Sequence, residues 1–481
     1  MNQEVDDPNG RERIMVLSAG VGSGHNSAAE AIREACAARA DVEAVDVLDV
    51  LDVSSALYRD LLAKGYFALV EDAPWLVSLG YDVSDQPFRH RGAVDPWSRV
   101  NAMPALRRLK KFRPTAVICT HFLPAQLIAT MILRGALDAR TAIVTTDYDF
   151  QGLWLASAFH RLYLAREESR VQLGELGIPL DRVVTSGIPV RPQVGIEMSG
   201  GGDSSPLLVI SAGASGGSYA KTVVRQVRRV TSPMRAVVVC GRNKELRREV
   251  ESITAGDERF TVLGFTDRMP ELLSGASLFI GKPGGLSASE CMAAGLPMVL
   301  TNPIPGQEVR NGDYLIEEGA AVRCTTTTTI GWKIDQILST PGRLEHMRSR
   351  AHAIGRPSAA ADVVEDLLAG PASPLIITRN AQKSLLEVSE TSLSASDLEA
   401  DKSLATLAAT ETGDSLALLR RDDLDQIFEA AGTEGNTLRL DAATLARLGQ
   451  RFDVQRLVER LLGESSTLDL TVHHSAPMND K

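Results

Sequence analysis

The chain has 481 residues, of which 44% are hydrophobic and 23% are charged, a composition typical of a folded globular protein and not of a disordered or fibrous one. Its formal net charge of −10 argues against a general nucleic-acid binder, because phosphate contacts need clustered Lys and Arg. The charge is uneven: it is −3 over residues 1–195, 0 over 196–370 and −7 over 371–481. We therefore expect no nucleic-acid partner and an acidic last quarter of the chain.

Cysteine usage and hydropathy bear on the location of the protein. Five widely scattered cysteines without a CxxC pair indicate reduced, buried thiols in a cytosolic protein. The first nine residues are polar and acidic, unlike a signal peptide. No apolar run reaches the ~20 residues that cross a bilayer. We therefore predict a cytoplasmic protein whose contact with any membrane is peripheral.

Two sets of strand-like segments alternate with helical ones, and a Gly/Ser-rich stretch at residues 197–206 separates the sets. This alternation predicts two parallel sheets covered on both faces, in domains 1–195 and 196–370. Ligands of such doubly wound domains bind outside the carboxyl ends of the strands, so we expect a cleft between them. The predicted strands are residues 14–19, 42–49, 116–121, 141–146, 161–165 and 183–188, then 207–211, 236–240, 260–264, 277–280, 298–301 and 320–324.

The last part of the chain has a different character. Residues 371–415 are rich in Ser, Thr, Ala and acids, which predicts a mobile linker. Amphipathic patterns follow around Leu424 and Leu445, so residues 416–481 are predicted to form a small, partly disordered, helical and acidic extension.

The first motif is the glycine-rich turn from Gly20 to His25 (GVGSGH), which follows the first strand and precedes an Ala-rich helix. Glycines allow a tight turn and a close approach to a ligand, and the helix offers free N–H groups to an anion. Imidazole is suited to proton removal near neutral pH, which makes His25 a candidate general base. The alternative is a plain strand–helix turn in which His25 caps the helix.

Two more strand–glycine–helix motifs follow in the second domain. Residues 211–218 (SAGASGGS) provide donors suited to a diphosphate, although a flexible turn is the alternative. Residues 281–290 (GKPGGLSASE) are more specific, because Glu290 in the first turns of a helix can accept hydrogen bonds from a ribose diol. The alternative is that Ser287 or Ser289 caps that helix and Glu290 interacts with its dipole.

A fourth motif, residues 301–308 (TNPIPGQE), continues to Asn311. Its two prolines stiffen a loop after a strand, and its amide and carboxylate groups suit sugar hydroxyls. A polar surface loop is the alternative.

Taken in order, GSGH, TDYDFxxLW, SGIPV, GKPGGLSASExMAAGLP and PGQExxN resemble the monogalactosyldiacylglycerol synthases and processive diacylglycerol glucosyltransferases over roughly residues 12–365. The resemblance implies the GT-B fold, with two Rossmann-like domains facing a cleft. It also implies an inverting transfer of hexose from UDP-galactose or UDP-glucose to a lipid, most simply diacylglycerol. The donor would bind the C-terminal domain and the acceptor the N-terminal one.

The resemblance also implies roles for individual residues. His25 corresponds to the proposed base, and Asp147 heads the TD motif, which makes it the second candidate catalytic residue. The implied donor contacts are the diphosphate loop Gly216, Gly217 and Ser218, the uracil neighbour Phe265, the turn and helix start Gly284, Gly285 and Ser287, the ribose ligand Glu290, and the sugar contacts Gln307 and Glu308.

One departure from the family pattern concerns the acceptor. Gln151 stands where relatives commonly have His, and an amide cannot titrate, so the acceptor can differ. We expect no tightly bound cofactor and no metal site, because no Asp-x-Asp stands at an obvious donor-metal position; Asp147-Tyr148-Asp149 has that spacing but lies in the acceptor half. Two alternatives remain: a polyprenol-linked or small soluble acceptor, and a non-catalytic nucleotide-sugar sensor.

A lipid acceptor requires contact with a membrane at the cytoplasmic face. The aromatic residues Tyr66, Phe67 and Trp75 are candidates for the headgroup level, although a core helix pair is an equally good interpretation. A basic cluster is the candidate for anionic lipid, although a solvated helix end explains it as well. That cluster consists of Arg107, Arg108, Lys110 and Lys111.

Overall fold

The computed structural model describes residues 11–20, 23–55, 96–191, 205–212, 218–380, 385–389, 437–439 and 467–469. Within this part of the chain, no helix is long and apolar enough to cross a membrane.

Apolar, β-branched segments build the first sheet, whose central strands are buried on both faces. The strands of this half are β1 Glu12–Ser18, β2 Val42–Asp49, β3 Ala116–Cys119, β4 Arg140–Val144, β5 Ala158–Phe159, β6 Arg161–Leu164 and β7 Val183–Thr185. Six of them pair in parallel in the order β2-β1-β3-β4-β6-β7. The described helices between them are α1 Ser23–Ala37, α2 Pro96–Phe112, α3 Phe122–Leu133 and α4 Glu167–Glu175.

The second sheet repeats this plan with parallel strands in the order β10-β9-β8-β11-β12-β13. Its strands are β8 Leu207–Ser211, β9 Arg235–Val239, β10 Phe260–Leu263, β11 Leu278–Gly281, β12 Met298–Thr301 and β13 Ala321–Cys324. Its helices are α5 Ser218–Val227, α6 Lys244–Thr254, α7 Met269–Ser274, α8 Gly285–Ala293, α9 Gln307–Glu317, α10 Ile330–Ser339 and α11 Arg343–Ile354. Two doubly wound parallel sheets were predicted, and both are confirmed.

The chain then crosses back to the first domain, which corrects the predicted boundary at residue 370. Helix α12 (Ala359–Ala369) buries Val363, Val364 and Leu367 against the first sheet. Tyr163 of β6 donates a hydrogen bond to Asp366 at 2.8 Å. Apolar spacing alone does not identify the sheet on which a helix packs, so sequence order assigned α12 to the wrong domain.

The prediction of a mobile linker over residues 371–415 is wrong at its start. Strand β14 (Leu375–Asn380) pairs antiparallel with β5, and its first three residues, 375–377, are buried among the apolar side chains of the first domain. Strand β15 (Leu385–Ser389) pairs with β14. Beyond residue 415 the described segments are the paired strands β16 Thr437–Arg439 and β17 Thr467–Asp469, and the predicted helical patterns lie outside the described residues.

The two domains meet through apolar side chains next to the carboxyl ends of their strands. Ala28 of α1 and Tyr148 after β4 share one buried cluster with Leu286 and Met292 of α8. The contact is closest at Gly285, where an added Cβ would lie 1.9 Å from the carbonyl oxygen of Thr146. The glycine at the start of α8 therefore lets the two strand ends come together.

Candidate active site

The turn before α1 is braced by polar side chains. Asn26 donates to the carboxylate of Asp49 at 2.8 Å and accepts from Ser18 at 2.6 Å. An added Cβ on Gly20 would lie 2.4 Å from the Asp49 carboxylate, so a side chain at this position would displace it. Asp49 ends β2 and braces the glycine turn through Asn26.

His25 lies in the first turn of α1, and its ring is fixed by the ends of β3 and β4. Its Nδ1 is 3.0 Å from the carbonyl oxygen of Thr120 and 2.9 Å from the hydroxyl of Thr146. A carbonyl oxygen only accepts, so Nδ1 carries the proton and Nε2 holds the lone pair of a base. These bonds differ from those of a helix cap, so the capping role offered as an alternative for His25 is wrong.

Burial keeps the His25 ring neutral. Loss of solvation lowers its pKa to about 4, against smaller opposing effects of the Thr120 carbonyl and the Asp49 carboxylate. At neutral pH, His25 is therefore an uncharged imidazole with an unprotonated nitrogen.

Two aromatic side chains lie beside this ring, and neither was predicted to be a site residue. The ring of His121 lies edge-on to His25 with 4.5 Å between centroids, and Trp154 lies 6.2 Å from both imidazoles. His121 is the second residue after the end of β3. The rule that functional groups gather at the carboxyl ends of parallel strands was the sequence signal that pointed to it.

The other candidate catalytic residue, Asp147, is buried at the end of β4 and bonded to the opposite domain. Its Oδ1 accepts hydrogen bonds from Gln307 and, at 3.1 Å, from Asn311. Burial raises the pKa of Asp147 to about 6, although the hydrogen bonds from these two amides favour the ionised carboxylate. The structure therefore brings Asp147 and the predicted sugar contact Gln307 together.

The residues after Asp147 extend this contact between the domains. The backbone N–H of Tyr148 donates to Asn311 at 2.8 Å, and Ser289 donates to the Tyr148 hydroxyl at 3.1 Å. Asp149 pairs with Arg310 at 2.6 Å and with Arg166 at 2.9 Å. We call residues 147–149, with their partners on α8 and α9, the domain clasp.

Helix α8 opens without a side-chain cap, since Gly284 is its N-cap and makes no such bond. The alternative in which Ser287 or Ser289 caps the helix is therefore wrong. Ser287 is partly buried in the first turn. Glu290 is partly buried one turn later, and burial raises its pKa to about 7 against the attraction of Arg191.

Lys282 follows β11, and Glu308 lies in the first turn of α9. Glu308 accepts a hydrogen bond from the backbone N–H of Ile304 at 2.6 Å. Burial raises its pKa, and Lys282 opposes that shift. The Lys282 ammonium also lies 5.3 Å from the ring centroid of Tyr219, at the start of α5. Lys282 belongs to the motif at residues 281–290, but no role was predicted for it from the sequence.

The remaining donor residues are only partly described. Gly216 and Gly217 lie outside the described residues, and Ser218 begins α5. Phe265 follows β10 with 63% of its surface exposed, and the guanidinium of Arg242 lies 4.7 Å from its ring centroid. Phe265 therefore presents an exposed aromatic face beside a cation.

The residues predicted to contact the membrane are also only partly described. Tyr66, Phe67 and Trp75 lie outside the described residues. Within the basic cluster on α2, Arg108 forms a salt bridge with Asp46 at 2.5 Å. The other members are exposed next to Met103, which is 45% exposed. They are Arg107, Lys110 and Lys111.

In the part of the chain that the structure describes, no three His, Cys, Asp or Glu side chains are grouped so as to hold a metal ion. The absence of a metal requirement therefore stays a prediction.

Comparisons with known proteins agree with this architecture. The family model for monogalactosyldiacylglycerol (MGDG) synthase matches residues 25–190, and that for glycosyl transferases group 1 matches residues 214–353. The first match contains His25 and the domain clasp residues 147–149, and the second contains Glu290 and Gln307. The resemblance predicted from the motifs is confirmed.

Curated relatives span most of the chain at low identity. A processive diacylglycerol beta-glucosyltransferase of Bacillus subtilis is 24% identical over 375 residues, which cover 75% of this chain and 96% of that protein. Another protein of that name, from Staphylococcus saprophyticus, is 27% identical over 269 residues, covering 54% of this chain and 68% of that protein.

Solved structures show the fold. The calicheamicin glycosyltransferase CalG4 has a TM-score of 0.51 at 14% identity and covers 75% of this chain and 99% of its own. The S. aureus MnaA–UDP co-structure has a TM-score of 0.50 at 13% identity, covering 74% and 96%. The predicted GT-B arrangement of two Rossmann-like domains is confirmed.

Proposed function

We propose that this chain, a glycosyltransferase of the GT-B fold that resembles the monogalactosyldiacylglycerol synthases and processive diacylglycerol glucosyltransferases, transfers a hexose from UDP-galactose or UDP-glucose to a lipid hydroxyl. Diacylglycerol is the proposed acceptor, and the names of the curated relatives support it. The observation that carries the proposal is the fixed tautomer of His25, which leaves Nε2 as a base beside the meeting point of the two domains.

The reaction follows from this arrangement. His25 Nε2 removes the proton from the acceptor hydroxyl, whose oxygen attacks the anomeric carbon on the face opposite UDP. The new C–O bond forms as the bond to the diphosphate breaks, so the configuration inverts and UDP leaves. The carboxylate of Asp49 favours the protonated ring that results, since its field acts on His25.

The leaving diphosphate needs compensation for its charge. The uncapped start of α8 offers N–H groups and the positive end of a helix dipole. Lys282 supplies a cation next to Tyr219 at the start of α5. We propose that these groups, with the ribose bound by Glu290 and the uracil beside Phe265, hold UDP without a tightly bound metal or other cofactor.

We propose that the protein acts at the inner face of the cell membrane. The exposed basic side chains of α2, namely Arg107, Lys110 and Lys111, suit anionic headgroups, and Met103 beside them is exposed. The five buried, free cysteines fit a reducing compartment.

A second candidate keeps the donor and changes the acceptor. Gln151, buried after the domain clasp, stands where the resemblance leads us to expect a histidine. A polyprenol-linked or small soluble acceptor would then replace diacylglycerol.

The test is transfer itself. Full-length protein is incubated with UDP-galactose or UDP-glucose and diacylglycerol liposomes, and the products are identified by mass spectrometry.

We expect His25→Ala to lower the rate by about 10²–10⁴-fold, the usual contribution of a general base, and to leave UDP binding intact. His346→Ala, which removes an exposed histidine on α11, is the matched control. An unchanged rate in His25→Ala would remove His25 as the base.

A further inference from the structure

Thr120 and His121 hold His25 from three directions. The Thr120 carbonyl accepts from Nδ1 of His25 at 3.0 Å, and its hydroxyl donates to the His25 carbonyl at 3.1 Å. The ring of His121 closes the third side, with an interplanar angle of 79°. Two consecutive residues after β3 therefore contact the His25 ring and backbone, in addition to the Thr146 hydroxyl after β4.

His121 is itself anchored. Its backbone is extended and its Nδ1 accepts the backbone N–H of Leu123 at 3.0 Å, so it is the N-cap of α3. Because Nδ1 accepts, the proton of the neutral ring is on Nε2. Phe122 packs on the same ring with 4.3 Å between centroids. His121 is only 4% exposed, and its ring is held by the cap bond and by Phe122.

Burial, more than the surrounding charges, keeps both rings of this pair neutral. Burial lowers the pKa of His121 well below its usual value, and the neighbouring His25 lowers it further. Asp49, at the end of β2, is the charged group that acts on His25. A proton taken up in the reaction is therefore held by His25, next to a neutral His121.

We propose that His121 is a positioning residue for the base: its ring, anchored by the cap on α3, holds the ring of His25 edge-on so that Nε2 meets the acceptor hydroxyl. This inference rests on the proposed function. His121 acts through His25 and takes no proton in the reaction.

The decisive variant is His121→Asn, because asparagine also caps helices but lacks the ring. We expect kcat to fall by about 10–100-fold, because a small misplacement of a catalytic group causes a loss of rate of this size. The KM for the UDP-sugar should be unchanged. Water admitted beside His25 raises its pKa from about 4 toward 6.5, so the acid limb of the pH–rate profile moves to higher pH.

A titration of the ligand-free full-length chain by NMR measures the same pKa without any substrate. The His25 signal is identified by its loss in His25→Gln. If the protein fails to transfer hexose, the proposed function is wrong, yet the titration still tests the effect of His121 on His25. In the double variant His25→Ala/His121→Asn we expect no loss of rate beyond that of His25→Ala, because residues that act through one group are not additive.

The matched control is His160→Asn, which removes another buried histidine whose pKa is lowered to about 4. His160 bonds to Thr141 and Ala372, so we expect lower stability and an unmoved His25 titration. If His121→Asn leaves the His25 pKa at about 4 and kcat unchanged, the inference is overturned. If His121→Asn does not fold, His121→Gln is titrated instead, and an unchanged His25 pKa and kcat in that variant would likewise overturn the inference.

Discussion

At the scale of single residues, burial acts in opposite directions on the acids and the base of the site. It lowers the pKa of His25 to about 4 and raises that of Glu290 to about 7, because in each case the charged form loses solvation. Near neutral pH the base is ready to accept a proton, whereas Glu290 is only partly ionised. Binding of the donor is then the step most sensitive to pH.

We therefore predict that UDP binds more tightly as the pH rises from 6 to 8. The ionised Glu290 is the better acceptor of two ribose hydroxyls, and affinity falls by up to about tenfold per pH unit below its pKa if only that form binds. Isothermal titration calorimetry at several pH values measures this. The matched variant Glu290→Gln should bind more weakly at pH 8 and lose the pH dependence. A pH dependence that persists in this variant would show that another group is responsible.

The same shifts have consequences for stability. Since the pKa of Glu290 is raised on folding, the folded chain binds its proton more tightly, and this contribution to stability is lost as the pH rises from about 4.5 to 7. The pKa of His25 is lowered on folding, so its contribution is lost as the pH falls from 6.5 to about 4.

At the scale of elements, the contact between β4 and α8 depends on one glycine. We predict that Gly285→Ala destabilises the protein by about 1–3 kcal/mol, as overpacking does, because the new Cβ meets the backbone carbonyl of Thr146. A rigid carbonyl has to move, which would also displace Asp147 and lower kcat. Thermal unfolding and hexose transfer measure the two effects.

The control for this substitution is Gly174→Ala in α4. There the added Cβ meets only side-chain atoms of Leu180 at 3.2 Å, and alanine is favoured over glycine in a helix by about 1 kcal/mol. Its melting temperature should stay the same or rise. A Gly285→Ala protein that behaves in the same way would contradict the close packing of α8 on β4.

The sequence predicted elements better than it predicted contacts between them. All twelve strands of the two sheets are close to their predicted positions, because buried parallel strands are short apolar runs between glycines and helices. Strand β5 has only two residues and gave no such pattern. The domain clasp joins Asp147 to Gln307, which are 160 positions apart, and only the packing of the two domains brings them together.

At the scale of the whole molecule, the segment after α12 is both part of the fold and the start of the acidic region. Leu375 and Ile377 are fully buried beside β5, and the backbone N–H of Ile377 donates to Ser157 at 2.9 Å. The same apolar cluster contains Trp154, whose ring lies near His25. The fold of the first domain therefore extends to residue 377, past the matched family regions.

We predict that truncation after residue 380 leaves the protein folded and active, whereas truncation after residue 370 destabilises it. Removal of β14 exposes the apolar surface around Phe159, and each buried aliphatic side chain that is lost costs about 1.5–3 kcal/mol. The 1–380 protein also lacks all the acidic residues of 371–481, so it should bind anionic liposomes more tightly at low salt than the full-length protein, through Arg107, Lys110 and Lys111. Vesicle sedimentation at two salt concentrations measures this. Equal binding of the full-length and 1–380 proteins at low salt would show that the acidic region does not affect docking.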